Sequence, residues 1–316
     1  MKRFTGIFTP IITPFHSDDT LDEAGLRRNV TRWMSTSLTG LVVLGSNGEA
    51  AQLEDAEADR VVDLVRQDVP SDRPLIAGTG RESTRATIAA TRRAATAGVD
   101  AVLVRTPSFF KSQMTTDVFV QHYLNVADAS PVPVMLYNVS MFTGVNLQPD
   151  AIERLAVHPN IVGIKESGSD IAQIAEFVSR TPDDFTVLAG SATTFVHALC
   201  AGCDGAILAL ASLVPDACAE LVTLVRDGRL DEARTLQRRL LPLAKSVGGT
   251  YGVPGLKGAL HLLGFAGGPP RPPLRSAAPS TIDIIRGQLD ALGVLRLAGS
   301  GDPTPFSAGQ SAAVLR

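Results

Sequence analysis

Ala97-Gly98-Val99-Asp100-Ala101-Val102-Leu103-Val104 joins a glycine to an apolar, β-branched run, the pairing expected where a helix stops and a strand follows at once. The theme returns at Thr39-Gly40-Leu41-Val42-Val43-Leu44-Gly45 and at Ala201-Gly202-Cys203-Asp204-Gly205-Ala206-Ile207-Leu208. Gly40 and Gly98 lie 58 residues apart, Gly98 and Gly202 104 apart. Taken as two and four units (58/2 and 104/4), these spacings approach the roughly 30 residues of a βαβ module. Further apolar runs fill the intervals at Pro74 to Gly78, Pro133 to Tyr137, Ile161 to Lys165 and Phe185 to Ala189, with Gly6 to Ile12 at the start. Eight strands result.

Segments with apolar residues near a 3.6 period separate them: Leu21 to Met34, Glu54 to Arg66, Ser83 to Ala97, Thr116 to Ala127, Pro149 to Val157, Asp170 to Ser179 and Thr193 to Cys200. Thr20-Leu21-Asp22-Glu23 and Ser169-Asp170 supply helix-opening chemistry. Eight strands alternating with helices predict a (β/α)8 TIM barrel over residues 1–210. An open doubly wound sheet is the rival, but Gly78-Thr79-Gly80-Arg81-Glu82-Ser83 lacks the third glycine of a dinucleotide fingerprint. Residues 211–297 read as a C-terminal helical extension. Its helices fall at Leu213 to Asp227, Leu230 to Ser246, Gly255 to Leu263 and Thr281 to Leu292, with Gly267-Gly268-Pro269-Pro270-Arg271-Pro272-Pro273 as a rigid connector. The Gly/Ser/Pro/Ala-rich residues 298–316 are expected to form a flexible tail.

The net charge of −3 is spread without a basic cluster, which argues against nucleic acid and anionic membrane as partners. Met1-Lys2-Arg3-Phe4-Thr5-Gly6-Ile7-Phe8-Thr9-Pro10 lacks the continuous apolar stretch of a secretory signal. The longest uncharged span, Ala129 to Pro149, is broken by Pro131, Pro133, Asn138 and Asn146 and makes no membrane helix. A cytoplasmic location is expected, and Cys200, Cys203 and Cys218 suit a reducing compartment. Cys200-Ala201-Gly202-Cys203 has redox spacing, but it sits at a helix-to-strand junction with no second pair and reads as packing. His16, His122, His158, His197 and His261 show no metal-ligand spacing, so no metal site is expected.

Ile161-Val162-Gly163-Ile164-Lys165-Glu166-Ser167-Gly168 carries a lysine out of an apolar strand. Burying an ammonium is costly unless it is paired or gives up its proton. Lys165 is therefore either a strand-end lysine paired with Glu166 or an amine nucleophile aimed at a carbonyl. In a barrel the C-terminal strand ends open onto one face, so Lys165 would meet Gly45-Ser46-Asn47-Gly48-Glu49, Thr106-Pro107-Ser108-Phe109-Phe110 and Tyr137-Asn138. The Gly45–Glu49 loop reads as a nest of inward amides for a carboxylate, or as an ordinary turn. Tyr137 is a proton carrier beside the amine, or a core tyrosine.

Gly45-Ser46-Asn47-Gly48-Glu49, Leu136-Tyr137-Asn138-Val139 and Gly163-Ile164-Lys165-Glu166-Ser167-Gly168, in this order, resemble the dihydrodipicolinate synthase/N-acetylneuraminate lyase family of pyruvate-dependent class I aldolases. The resemblance runs from about Gly6 to Leu295. It implies a barrel with a helical extension in a homotetramer built as a dimer of dimers. It also implies a Lys165 imine with a 2-oxo acid in place of any cofactor, proton transfer by Tyr137 with Ser46, and a carboxylate held by Ser46 and Asn47. Ser167, Gly190, Ile207, Phe109 and Phe142 are the further substrate-binding positions it implies. Within the family, Glu82-Ser83-Thr84-Arg85-Ala86-Thr87, His158-Pro159-Asn160-Ile161-Val162-Gly163 and Gly252-Val253-Pro254-Gly255-Leu256-Lys257 are most similar to the branch that cleaves 4-hydroxy-2-oxoglutarate.

Three positions depart from the family pattern. Phe142 stands where the synthase branch carries an arginine for the carboxylate of its amino-aldehyde, and a phenyl ring cannot form that pair. Phe109 replaces the second relay tyrosine, which the family lends across a subunit interface, and Ser140 replaces a proline. The expected activity is reversible aldol cleavage of a 4-hydroxy-2-oxo acid to pyruvate and an aldehyde. The alternatives are a 2-keto-3-deoxy sugar acid aldolase or dehydratase, a dihydrodipicolinate synthase-like enzyme, and a catalytically weak pyruvate-binding or sensory protein.

Overall fold

The structure, a computed structural model, describes residues 4–295. The tail expected at 298–316 lies outside the described residues. Each apolar run forms a strand: β1 (Gly6–Pro10), β2 (Gly40–Val43), β3 (Leu75–Gly78), β4 (Ala101–Arg105), β5 (Val134–Asn138), β6 (Ile161–Glu166), β7 (Thr186–Ala189) and β8 (Gly205–Ile207). All pair in parallel, each with its sequence neighbour, and β8 closes on β1 with Ile7 opposite Ala206. The fold is the (β/α)8 barrel expected from the repeat.

Strand periodicity divides the core in two. Phe8, Val42, Ile76, Leu103, Met135, Leu188 and Ile207 pack together inside the barrel, with Phe4 beside them. Their neighbours Ile7, Leu41, Val43, Leu75, Val102, Leu136 and Val187 face outward and merge with the helices into a larger core. Such a barrel is filled by side chains rather than hollow, so a cavity can open only beyond the strand ends.

The helices around the strands are α1 (Glu23–Met34), α2 (Asp55–Asp68), α3 (Thr84–Thr96), α4 (Thr116–Ala129), α5 (Ser140–Thr143), α6 (Pro149–Ala156), α7 (Ile171–Arg180), α8 (Phe195–Cys200) and α9 (Pro215–Arg226). Asp22, Ser83, Thr115 and Asp170 cap the N-termini of α1, α3, α4 and α7, each side chain accepting a backbone N–H from the first turn. α9 packs on α8 and β1, where the eighth helix of such a barrel stands. Beyond it come α10 (Leu230–Lys245), α11 (Gly252–Leu262) and α12 (Pro279–Ala291). Among the described residues no helix is long and apolar enough to cross a membrane.

The glycine signal that opened the repeat has two physical origins. Gly98 and Gly202 adopt φ of 88° and 104° just past α3 and α8, as expected of helix ends. Gly40 does not cap a helix, because α1 is closed by Ser35. It begins β2, where a Cβ would lie 2.2 Å from the Pro74 carbonyl oxygen. Close strand approach, not chain reversal, requires glycine there.

His122 on α4 is buried, with Nδ1 2.8 Å from Thr84 Oγ1. Burial lowers its pKa to about 4 from an ordinary 6.5. The unfolded chain therefore takes up a proton first as the pH drops. The stability contributed by neutral His122 is complete above pH 6.5 and is lost as the pH falls through about 4, with a loss of roughly 3 kcal/mol in all. Denaturant unfolding at pH 6.5, 5.5 and 4.5 should show this decline in the wild type and a flatter one in His122→Asn. Parallel declines would assign the acid sensitivity to other groups.

Candidate active site

Two residues on adjoining strands define the centre of the site. Tyr137 of β5 and Lys165 of β6 are register partners, and partners on parallel strands point to the same face about 4.8 Å apart. Lys165 Nζ lies 4.4 Å from the centroid of the Tyr137 ring, and each residue is only 5% exposed. Among the described residues no carboxylate pairs with Lys165.

Glu166 does not neutralise it, because successive strand residues point to opposite faces. The Glu166 carboxylate, 1% exposed, turns toward the helix layer. There it accepts hydrogen bonds from Asn138 Nδ2 at 2.6 Å, Gln173 Nε2 at 3.0 Å and the Gly168 amide. Burial raises its pKa above the ordinary carboxylate range. Asn138 Nδ2 also donates to Asn146 Oδ1 at 2.6 Å. This network joins the ends of β5 and β6 to α7 from outside, while Tyr137 and Lys165 occupy the inner face. Of the two readings of Lys165, the surface pair with Glu166 is thereby removed.

Ser46 completes a hydroxyl pair, its Oγ 3.4 Å from Tyr137 Oη. It opens a 3-10 turn, Ser46–Gly48, anchored by Thr13 Oγ1 donating to the Gly48 carbonyl at 2.7 Å. The expected nest is smaller than the motif suggested. The amides of Gly48 and Glu49 are consumed within the turn by the Gly45 and Ser46 carbonyls, so the Ser46 and Asn47 amides remain at its head.

The last residue of the motif has a separate task. Glu49 is 1% exposed with φ of 55°, and its Oε1 lies 2.5 Å from Nζ of Lys257 on α11, an ion pair with almost no solvent access. Lys257 Nζ also donates to the Pro269 carbonyl at 2.8 Å, and the Arg271 amide donates to Glu49 Oε2 at 2.7 Å. Arg271 in turn makes a bidentate pair with Glu57 on α2, at 2.6 and 2.8 Å. Burial pushes the Lys257 ammonium below its ordinary pKa, and Glu49 draws it back up. The Gly267–Pro273 connector is thus a clamp over a buried charge pair.

A cavity of about 570 Å³ opens at this end of the barrel. Ser46, Asn47, Tyr137, Phe142, Lys165, Ser167, Gly190 and Ile207 all line it. Phe109 does not reach the cavity of its own chain: it is 77% exposed and stands edge-to-face against Phe110, with ring centroids 5.0 Å apart. Sequence reasoning missed the wall built by Lys245, Gly248, Gly249 and Thr250. Pro242 inside α10 withholds one helix hydrogen bond, and the chain continues as a π-turn over Ser246–Thr250 that brings this wall to the cavity. A proline followed by Gly-Gly in a helical pattern is the signal that marked an irregular turn. Hydroxyls of Ser169, Ser191 and Thr193 add to the rim. Lys165 and Lys245 are the cationic side chains of the wall, and no Asp or Glu lines it among the described residues.

Fold and site together define a (β/α)8-barrel protein with a buried lysine and tyrosine at the floor of a cavity beyond the strand ends. Residues 3–291 match the model of the Dihydrodipicolinate synthetase family, and the chain belongs to that family of enzymes. It is 40% identical over 273 residues to a 4-hydroxy-tetrahydrodipicolinate synthase of Methanothrix thermoacetophila, covering 86% of this chain and 91% of the relative. To the synthase of that name from Methanopyrus kandleri it is 34% identical, over 93% of this chain and 98% of the relative. The dihydrodipicolinate synthase structure from Thermotoga maritima superposes with a TM-score of 0.88 at 33% identity, covering 92% of this chain and 99% of that one.

Lys257→Met should leave the Glu49 carboxylate buried without its cation and cost about 3–5 kcal/mol in denaturant unfolding. Pairing it with Glu49→Gln should recover most of the loss. A single variant as stable as the wild type would show that the clamp does not depend on the ion pair.

Proposed function

We propose that the protein is a Schiff-base-forming, pyruvate-dependent aldolase that cleaves a 4-hydroxy-2-oxo acid reversibly to pyruvate and an aldehyde. The observation that carries this reading is the buried Lys165, without a carboxylate partner among the described residues, against Tyr137 and open to the cavity. Lys165 Nζ attacks C2 of the oxo acid and water leaves, giving an iminium. That cation is the electron sink for the C3–C4 bond. Tyr137 gives its proton to the departing water and, as the phenolate, takes the proton of the C4 hydroxyl as the bond breaks; the aldehyde departs and the enamine of pyruvate remains. The proton passes between Tyr137 and Ser46, which stand at hydrogen-bond distance. Protonation at C3 and hydrolysis return free Lys165 and pyruvate. The lysine imine does the work for which a metal or cofactor would otherwise be needed. The Ser46 and Asn47 amides hold the pyruvate carboxylate.

Cleavage of 4-hydroxy-2-oxoglutarate is supported by the resemblance of residues 82–87, 158–163 and 252–257 to the branch that cleaves it. Phe142 on the cavity wall removes the arginine fork of the synthase branch but does not separate the two substrates by charge, because glyoxylate also carries a carboxylate. The names of the two relatives favour the second reading, in which the same enamine condenses with a carboxylated amino-aldehyde. Self-association fits the exposed Phe109, Phe110 and Met141, at 77, 67 and 60% exposure. In a homotetramer Phe109 would stand where a partner's site receives it.

Incubation with pyruvate and borohydride should give a single adduct that maps to Lys165 and is absent from a folded Lys165→Ala variant. An adduct that persists in that variant, or maps to Lys111, Lys245 or Lys257, rejects the assignment. Pyruvate and glyoxylate released from 4-hydroxy-2-oxoglutarate, measured beside condensation of pyruvate with the amino-aldehyde, choose between the two readings. The larger kcat/KM decides.

In an assembled species verified by light scattering, Phe109→Tyr should raise the cleavage rate severalfold, up to about 10²-fold. An unchanged rate would remove position 109 from the relay.

A further inference from the structure

We propose that Lys245 is the distal anion subsite of this cavity, selecting substrates that carry a second carboxylate at the end remote from the 2-oxo group. The inference rests on the aldolase reading above and specifies its substrate class. Lys165 is committed to the carbonyl, and the turn at Ser46 and Asn47 serves the first carboxylate. The other cation of the wall is Lys245.

Three observations favour a ligand-facing role. Lys245 is exposed, and no ion pair or hydrogen bond holds its ammonium among the described residues, although the surface elsewhere pairs many of its arginines with carboxylates, such as Arg60 with Glu23 and Arg154 with Asp117. Among the described residues the cavity wall carries no acidic side chain to compete for it or to repel a dianion. Finally, its position is built rather than incidental. Lys245 is the last residue of α10, immediately before the π-turn, and Gln237 on the same helix ties α10 to the β7–α8 loop, donating to Ala192 O at 2.9 Å, and to α8, accepting from the Val196 amide at 3.2 Å.

Phe142 meanwhile leaves the part of the wall built by α5 without a cation. Charge recognition of the aldehyde half has therefore moved from the β5–α6 loop to the helical extension. A lysine at the end of α10 presents a point charge on a flexible stem, suited to a terminal carboxylate and not to a fixed bidentate fork.

The test compares two ligands of equal carbon chain, 2-oxoglutarate and 2-oxopentanoate, which differ only in the terminal carboxylate. Binding of each is measured by calorimetry at low and high salt in the wild type, Lys245→Met and Lys245→Arg, and borohydride trapping of pyruvate monitors Lys165 separately. The wild type should bind the dicarboxylate about tenfold more tightly. That preference should weaken with salt, disappear in Lys245→Met and persist in Lys245→Arg.

Affinity for 2-oxopentanoate should be nearly the same in all three proteins. No wild-type preference, or a preference that survives in Lys245→Met, overturns the subsite whatever the trapping shows. Loss of pyruvate trapping in the wild type, with the dicarboxylate preference intact and dependent on Lys245, would sink the reaction while leaving the anion subsite in place.

Discussion

The register between β5 and β6 is the constraint on which the site depends. Closing eight parallel strands makes every neighbour relation obligatory, so Tyr137 cannot avoid Lys165 nor Lys165 the filled interior. An amine held there, with no carboxylate among the described residues to compensate it, is an unfavourable arrangement for stability alone. The barrel tolerates it because Nζ faces a tyrosine ring and a cavity instead of packed hydrocarbon. Glu166 shows how strictly strand geometry separates roles: one residue further along, it serves the outer network through Asn138 and Gln173 and does not reach the amine. Two charged neighbours in sequence thus do unrelated work.

The Ser46 turn depends on a second, more distant restraint. Its hydroxyl approaches Tyr137 because the turn is anchored on both sides, by Thr13 within the barrel and by Glu49 against Lys257 and the Arg271 amide. A buried ion pair is weak evidence for net stability. Here it joins the turn after β2 to α11 and the connector that follows it, about two hundred residues later in the chain, and Arg271 extends the join to Glu57 on α2. The extension also completes the cavity itself, since the π-turn after α10 supplies one wall. Barrel and extension are therefore one functional unit.

The eight strands, their helices and the convergence of Ser46, Asn47, Tyr137 and Lys165 were determined by the sequence itself. Strand and helix periodicity are local, and the parallel barrel sends all strand ends to one face. Ser167, Gly190 and Ile207 were implied by the family resemblance, and the structure places them on the cavity wall. Tertiary structure alone decided the rest. Whether Lys165 pairs with Glu166 turned on which face each occupies. Whether Gly40 caps a helix or admits the Pro74 carbonyl turned on strand spacing. The partnership of Glu49 with Lys257 and the arrival of Lys245 at the cavity join positions about two hundred residues apart in the chain. No local pattern encodes such contacts, because they arise only when helices after the barrel pack back across its mouth.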